Sequence, residues 1–91
     1  MTKLATDNQN TLTSILKNSL KWKENRYGNF DHTDGKYRVK FQDTSFRIES
    51  KVVHESGPCS WIKIGGGYYK DVTFPDNTVE VSGRKIRSDF F

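Results

Sequence analysis

The chain has 91 residues, of which 33% are hydrophobic and 29% charged, and its formal net charge is +4. This length holds one hydrophobic core, so we expect a single domain over residues 1–91. A single cysteine excludes an internal disulfide and indicates a reducing, cytoplasmic location. The sequence contains no long apolar run and no signal peptide, so we expect no membrane partner.

The first predicted element is an amphipathic helix over residues 11–24. Asn10 or Thr11 would cap its start, and Gly28 would end it. Residues 1–9 are polar and unpatterned, so we expect them to be flexible. The apolar residues at helical spacing are Leu12, Ile15, Leu16 and Leu20, with Trp22 at the edge of the same stripe.

Beyond Gly28 the hydrophobic period changes to two, and turn residues recur at short intervals, which is typical of an antiparallel meander. The triple glycine at 65–67 is predicted to be a hairpin turn with positive φ. It does not match a phosphate-binding loop, because no Gly-Lys-Ser/Thr ending and no helix follow it. The predicted strands are 36–42, 46–54, 60–64, 68–74 and 78–82, with a weaker leading strand at 26–31.

These elements predict an α+β fold in which one N-terminal amphipathic helix packs on a five- to six-stranded antiparallel meander sheet. The alternative is a small, partly closed β-barrel with one helix, because short strands with glycine-rich turns can curl. The helix stripe would pack against the apolar strand positions. Those positions are Tyr37, Val39, Phe41, Phe46, Ile48, Val52, Ile62, Ile64, Val72, Phe74, Val79 and Val81.

Cationic residues alternate with the predicted core positions of the first strands. If these strands lie side by side, the face opposite the core carries six cations against one acid, plus an indole. The predicted binding residues are Lys36, Arg38, Lys40, Arg47, Lys51, Trp61 and Lys63. Such a face could attract phosphates and offer Trp61, with Tyr68 or Tyr69, for a base to stack on. The same alternation also arises when cations only keep one face of a sheet solvated.

Few residues could form an active site. His54 and Glu55 could act as acid and base in a small ribonuclease, with an arginine stabilising the developing charge. Adjacent strand residues point to opposite faces, however, so we expect no enzyme. One cysteine and two histidines do not reach a metal-ligand set, so we expect no metal and no cofactor. The candidate arginines are Arg47, Arg84 and Arg87.

The C-terminal segment joins cations to two terminal aromatic residues. Ile86, Phe90 and Phe91 are expected to complete the core, and the alternative is that the two phenylalanines form an exposed handle. Cys59 is predicted to be a small buried residue.

The sequence therefore predicts a small non-enzymatic binding module. Its first expected partner is a polyanion, either RNA or single-stranded DNA, bound through the basic sheet face. The alternative is an adaptor or inhibitor that binds an acidic protein, a type common among phage and mobile-element products. It would use an exposed sheet edge, the helix or the terminal phenylalanines.

Overall fold

The computed structural model describes residues 2–86 and 90. One helix, α1 (Lys3–Asn18), precedes two antiparallel sheets. The first sheet contains β1 (Trp22–Glu24), β2 (Phe30–His32), β3 (Tyr37–Phe41), β4 (Ser45–Val52) and β5 (Ser60–Tyr68). The second contains β6 (Val72–Thr73), β7 (Glu80–Val81) and β8 (Arg84–Lys85). Two short 3-10 helices, Tyr69–Asp71 and Pro75–Asn77, flank β6.

The five strands of the first sheet lie in chain order, and each pairs antiparallel with the next. β1 and β5 are its two edges, and no pairing among the described strands closes the sheet into a barrel. The predicted α+β arrangement of one helix on an antiparallel meander is therefore confirmed. Within the described residues, no helix has the length and apolar character that crossing a membrane requires.

α1 begins much earlier than the sequence pattern indicated. The Thr2 hydroxyl accepts a hydrogen bond from the Ala5 N–H at 3.2 Å and caps the helix, so the prediction of a flexible start is wrong for residues 3–9. The helix ends at Asn18, and Leu20 beyond it is 97% exposed rather than buried. Trp22 belongs to β1 instead of the helix.

A buried polar residue explains why the early turns of α1 are ordered. The Asn8 side-chain amide donates to the carbonyls of Tyr69 and Val72, at 2.8 and 3.0 Å. These bonds attach the helix to the chain that follows β5, and they satisfy an amide that burial would otherwise penalise. Asparagine counts as polar in a periodicity analysis, so this docking contact is invisible to hydrophobic spacing.

The core lies between α1, the inner face of the first sheet and the second sheet. Most predicted core residues are buried or half-buried, but Ile62 and Ile64 are 51% and 46% exposed. Both residues belong to β5, an edge strand of the first sheet. The buried apolar residues are Ala5, Leu12, Leu16, Trp22, Phe30, Val39, Phe46, Ile48, Tyr69, Val72, Val79 and Val81.

The triple glycine lies inside β5 and not in a turn, so that prediction is wrong. Gly65, Gly66 and Gly67 lie opposite Ile48, Arg47 and Phe46 of β4. Only Gly66 of the three has a positive φ, +116°. A Cβ on Gly66 would overlap the Phe46 carbonyl oxygen, and a Cβ on Gly67 would lie 2.5 Å from a methyl group of Val81. The glycines therefore allow β5 to approach both β4 and the second sheet closely.

The segment predicted as a strand at 68–74 is interrupted. It contains the end of β5, a 3-10 helix and the short β6. Tyr69 is fully buried, and its hydroxyl donates to the Gln42 carbonyl at 2.9 Å. Burial raises the pKa of Tyr69 to about 12. This tyrosine is thus a core residue and offers no ring to a base.

The end of the chain packs against the core. Ile86 and Phe90 are half-buried, and the Phe90 ring meets the Tyr37 ring edge-on at 5.1 Å. The Trp22 indole N–H donates to the Phe90 carbonyl. Phe91 lies outside the described residues. The expected docking is therefore seen for Ile86 and Phe90.

Candidate binding face of the five-stranded sheet

The strand register brings all seven predicted binding residues to one face of the first sheet. Side chains of directly opposed residues lie on the same face, and the buried Val39 and Ile48 occupy the other face. The Lys51 N–H donates to the Lys36 carbonyl at 2.8 Å, which extends the same pairing beyond β3. The opposed pairs are Arg38 with Glu49, Lys40 with Arg47, Glu49 with Lys63, and Lys51 with Trp61. We call the seven predicted residues the basic face.

A buried carboxylate lies at the centre of the basic face. Glu49 is 5% exposed. The Arg38 Nε donates a hydrogen bond to Glu49 Oε1 at 2.6 Å, and the Arg47 Nη2 forms an ion pair with Glu49 Oε2 at 3.2 Å. A charge-assisted hydrogen bond is stronger than a neutral one, so Glu49 fixes the direction of the Arg38 guanidinium and attracts the Arg47 guanidinium. Glu49 thus holds the two arginines against the sheet and partly cancels their charge.

Trp61 is held by the same network. The Arg38 guanidinium lies over its ring, with Cζ 4.2 Å from the ring centroid, in a cation–π contact. Trp61 is half-buried, so part of the indole reaches solvent. Arg47, Glu49, Arg38 and Trp61 therefore form one connected array across three strands.

The lysines of the basic face are free of this network. Among the described residues, no carboxylate lies within ion-pair distance of Lys36, Lys40, Lys51 or Lys63. Three of them are exposed, and Lys40 is half-exposed. In Arg47, the buried Nε also has no hydrogen-bond partner within the described part of the chain. The positive charge that a ligand can reach comes chiefly from the lysines.

The turn between β2 and β3 positions the first lysine. The Lys36 N–H donates to the Asp34 carboxylate at 2.8 Å, and this bond holds the pKa of Asp34 below its usual value. The His32 ring lies 2.9 Å from the same carboxylate. Gly35 in the same turn has a φ of +76°, a conformation that glycine adopts without steric cost.

Two further charged residues share this face, and sequence reasoning missed them. The register opposes Lys23 to Asp31, and Asp31 to Arg38. The sequence pattern places Lys23 in the helix, because β1 and β2 are only three residues long and show little alternation. Trp22 precedes Lys23 and Phe30 precedes Asp31, and this alternation of an aromatic with a charged residue is the feature of the sequence that could have indicated the shared face. Because Asp31 of β2 is negatively charged, the strongly basic region of this face lies on β3, β4 and β5.

The residues considered for catalysis do not come together among those described. The His54 ring and the Ser60 hydroxyl are 2.9 Å apart in an exposed hairpin. No hydrogen bond or ion pair in the described part of the chain joins His54 to Glu55, Arg47 or Arg84, and Arg87 lies outside that part. Residues 2–86 and 90 contain no group of three potential metal ligands. Cys59 is exposed, so its predicted burial is wrong.

No protein-family model matches the sequence, and no curated protein or solved structure is significantly similar to it.

Proposed function

We propose that this protein is a non-enzymatic module that binds single-stranded nucleic acid, RNA or DNA, through the basic face. The observation that supports the proposal is the register of β3, β4 and β5, which joins an oriented indole and four lysines without an ion pair to any described residue on one sheet face. The exposed, unpaired Cys59 is consistent with action in a reducing, cytoplasmic compartment.

The lysines supply affinity that does not depend on base sequence. A lysine that neutralises a phosphate releases a condensed counterion, and the gain is lost as salt is added. An ammonium group on a flexible chain contacts a phosphate as a point charge, so the strand can lie in more than one direction. The basic face is thus suited to general attraction of a polyanion, with little readout of bases.

Trp61 favours a single strand over a duplex. The bases of a duplex are stacked on each other, whereas those of a single strand can stack on an aromatic ring. Because Arg38 holds the indole from one side, a base would stack on a ring that is already oriented, at a lower entropic cost. One such ring gives a short binding site with modest sequence preference.

Fluorescence anisotropy with labelled single-stranded RNA, single-stranded DNA and duplex DNA tests the proposal. The logarithm of the binding constant should fall linearly with the logarithm of salt, with a slope of about −3 if four phosphates of a single strand are neutralised. Duplex DNA of the same length should bind more weakly at each salt concentration. A flat salt response, or no binding at low salt, would refute the proposal.

Charge-reversal variants locate the site. Lys40→Glu should weaken oligonucleotide binding by about tenfold at low salt. Lys3→Glu is the matched control, because it changes the net charge equally at an exposed position of α1. Equal losses in both variants would mean that binding reflects net charge rather than the basic face.

Trp61→Ala tests the stacking contribution. Binding of a single strand should weaken by about 1 to 3 kcal/mol, while binding of duplex DNA should change little. Trp61→Phe should retain part of the affinity. If oligonucleotides fail to bind and a purified acidic protein binds the same face, the adaptor alternative replaces this proposal.

A further inference from the structure

The outer edge of β5 is open along its first half. β5 is an edge of the first sheet, and residues 60–64 make no backbone hydrogen bond to any described residue outside β4. Ile62 and Ile64 are 51% and 46% exposed there. An edge with unpaired N–H and C=O groups can accept another extended chain, which would satisfy those groups.

A groove adjoins the second half of this edge. It has a volume of about 330 Å³ and is lined by β5 on one side and the β7–β8 hairpin on the other. Apolar side chains of Ile48, Ile64, Val81 and Ile86 line it. Arg84 and Lys85 of β8 also line it; both are exposed, and neither forms an ion pair with a described carboxylate.

We propose that the β5 edge and this groove bind an extended, acidic peptide segment of a partner protein. The segment adds as a strand to β5 and alternates apolar with acidic side chains. Because successive side chains of a strand point to opposite faces, its apolar residues lie beside Ile62 and Ile64 and enter the groove. Its acidic residues face Lys63 on the other side, and an acidic group at the segment's end reaches Arg84 or Lys85.

Charge and hydrogen bonding disfavour two other occupants, a second copy of β5 and a nucleic acid strand. A second copy of β5 would oppose Lys63 to a similar strand that contains no carboxylate, and the whole chain carries a net charge of +4. A nucleic acid strand has no alternating amide and carbonyl groups with which to pair an open β-edge, and its phosphates would lose solvation beside the apolar side chains of the groove. The groove lies on the core side of the sheet, opposite the basic face, and Lys63 is the residue that the peptide site shares with the basic face.

The test uses the full chain, labelled with ¹⁵N, and a blocked eight-residue synthetic peptide that alternates valine and glutamate. Amide shifts should change at residues 60–66 and 81–86, and the β5 amides should exchange more slowly with solvent. The control peptide has the same composition with valines and glutamates in separate blocks. The proposal is overturned if no shifts change at about millimolar peptide, if the block peptide binds equally well, or if the basic face shifts while residues 81–86 do not.

Ile64→Lys should lower the affinity for the alternating peptide by about tenfold, because it places a charged side chain in the groove and on the edge. Val53→Lys is the matched control, since it adds the same charge at an exposed aliphatic residue outside the groove. Arg84→Glu should also weaken binding, compared with Arg26→Glu at the exposed β1–β2 turn.

Wild-type affinity in Ile64→Lys would overturn the proposed peptide site. Oligonucleotide binding measured in parallel should not fall in Ile64→Lys. A loss of peptide binding without a loss of oligonucleotide binding thus separates this site from the basic face.

Discussion

The two faces of the first sheet are formed by alternate residues of the same strands, yet their neighbours constrain them very differently. On the inner face, Val39 and Ile48 are almost completely buried between α1, the sheet and the second sheet. On the outer face, Glu49 is the only buried residue among those the structure describes, and it contacts the side chains of Arg38 and Arg47. The inner face therefore carries the packing that stabilises the fold, whereas the outer face leaves most of its charged side chains exposed to solvent.

β5 shows the same contrast along a single strand. Its second half contains Gly66 and Gly67, where a side chain would collide with β4 or with the second sheet. Its first half carries Trp61 toward the basic face and exposes Ile62 at the edge. Packing restricts the second half of β5 to small residues, whereas the first half can carry the larger side chains that we propose to bind a ligand.

The largest effect is expected at the glycine with positive φ. Gly66→Ala combines a strained backbone conformation with a clash against the Phe46 carbonyl, so it should lower the free energy of unfolding by about 4 kcal/mol or prevent folding. Gly65→Ala is the control, because its Cβ would meet Ile48 Cδ1 at an ordinary 3.6 Å. Urea melts of both variants check this, and equal stabilities would contradict the tight approach of β5 to β4.

The helix contribution to the core should be nearly as large. Leu16 is completely buried, and Leu16→Ala should lower the free energy of unfolding by about 2 to 5 kcal/mol. Lys17 is exposed and makes only a 3.8 Å contact with Glu24, so Lys17→Ala should cost less than about 0.5 kcal/mol. Thermal melts compare the two. Equal melting temperatures would show that α1 does not pack through Leu16.

A smaller stability effect is expected at the buried acid of the outer face. Glu49→Ala leaves the Arg38 and Arg47 guanidinium groups without their shared carboxylate, at an expected cost of about 1 to 3 kcal/mol, because both arginines remain partly solvated. A double-mutant cycle with Arg38→Ala measures the coupling. Additive losses would mean that the Arg38–Glu49 bond contributes nothing to stability.

The smallest effect at neutral pH is expected from Tyr69→Phe, which removes the hydrogen bond to the Gln42 carbonyl and should cost about 1 kcal/mol. The pKa of Tyr69 is raised from 10.0 to about 12, so the fold favours the neutral phenol. That preference is fully present below pH 10 and is lost as the pH rises from 10 to 12. The free energy of unfolding, measured by urea melts from pH 8 to 12, should therefore fall more steeply with pH for the wild type than for Tyr69→Phe. Parallel pH profiles of the two proteins would contradict burial of the phenol.

Part of the helix and part of the sheet could be predicted from the sequence. The positions of Leu12 and Leu16 indicated the buried stripe of α1, because their spacing depends only on helical geometry. The start of α1 was missed because Asn8 docks it by hydrogen bonds to a segment 61 residues away. The interior position of the triple glycine was missed because turns and closely packed strands both favour glycine.

For the basic face, alternation along β3, β4 and β5 determined that all seven predicted residues could share one side. The peptide backbone enforces that rule within each strand. It says nothing about neighbours across strands, so the pairing of Arg38 with Glu49 and the position of Asp31 depended on register. The sequence predicts charges, but not which of them another side chain neutralises.

The sequence by itself determined the α+β class, the antiparallel meander and the sidedness of its charges, because helical and strand periodicities are local properties of the backbone. Only the tertiary structure decided that Glu49 is buried between two arginines, that Arg38 orients Trp61, and that an open edge adjoins a groove. Those features depend on contacts between residues far apart in the chain, and such contacts arise only when strand register and layer packing are set together.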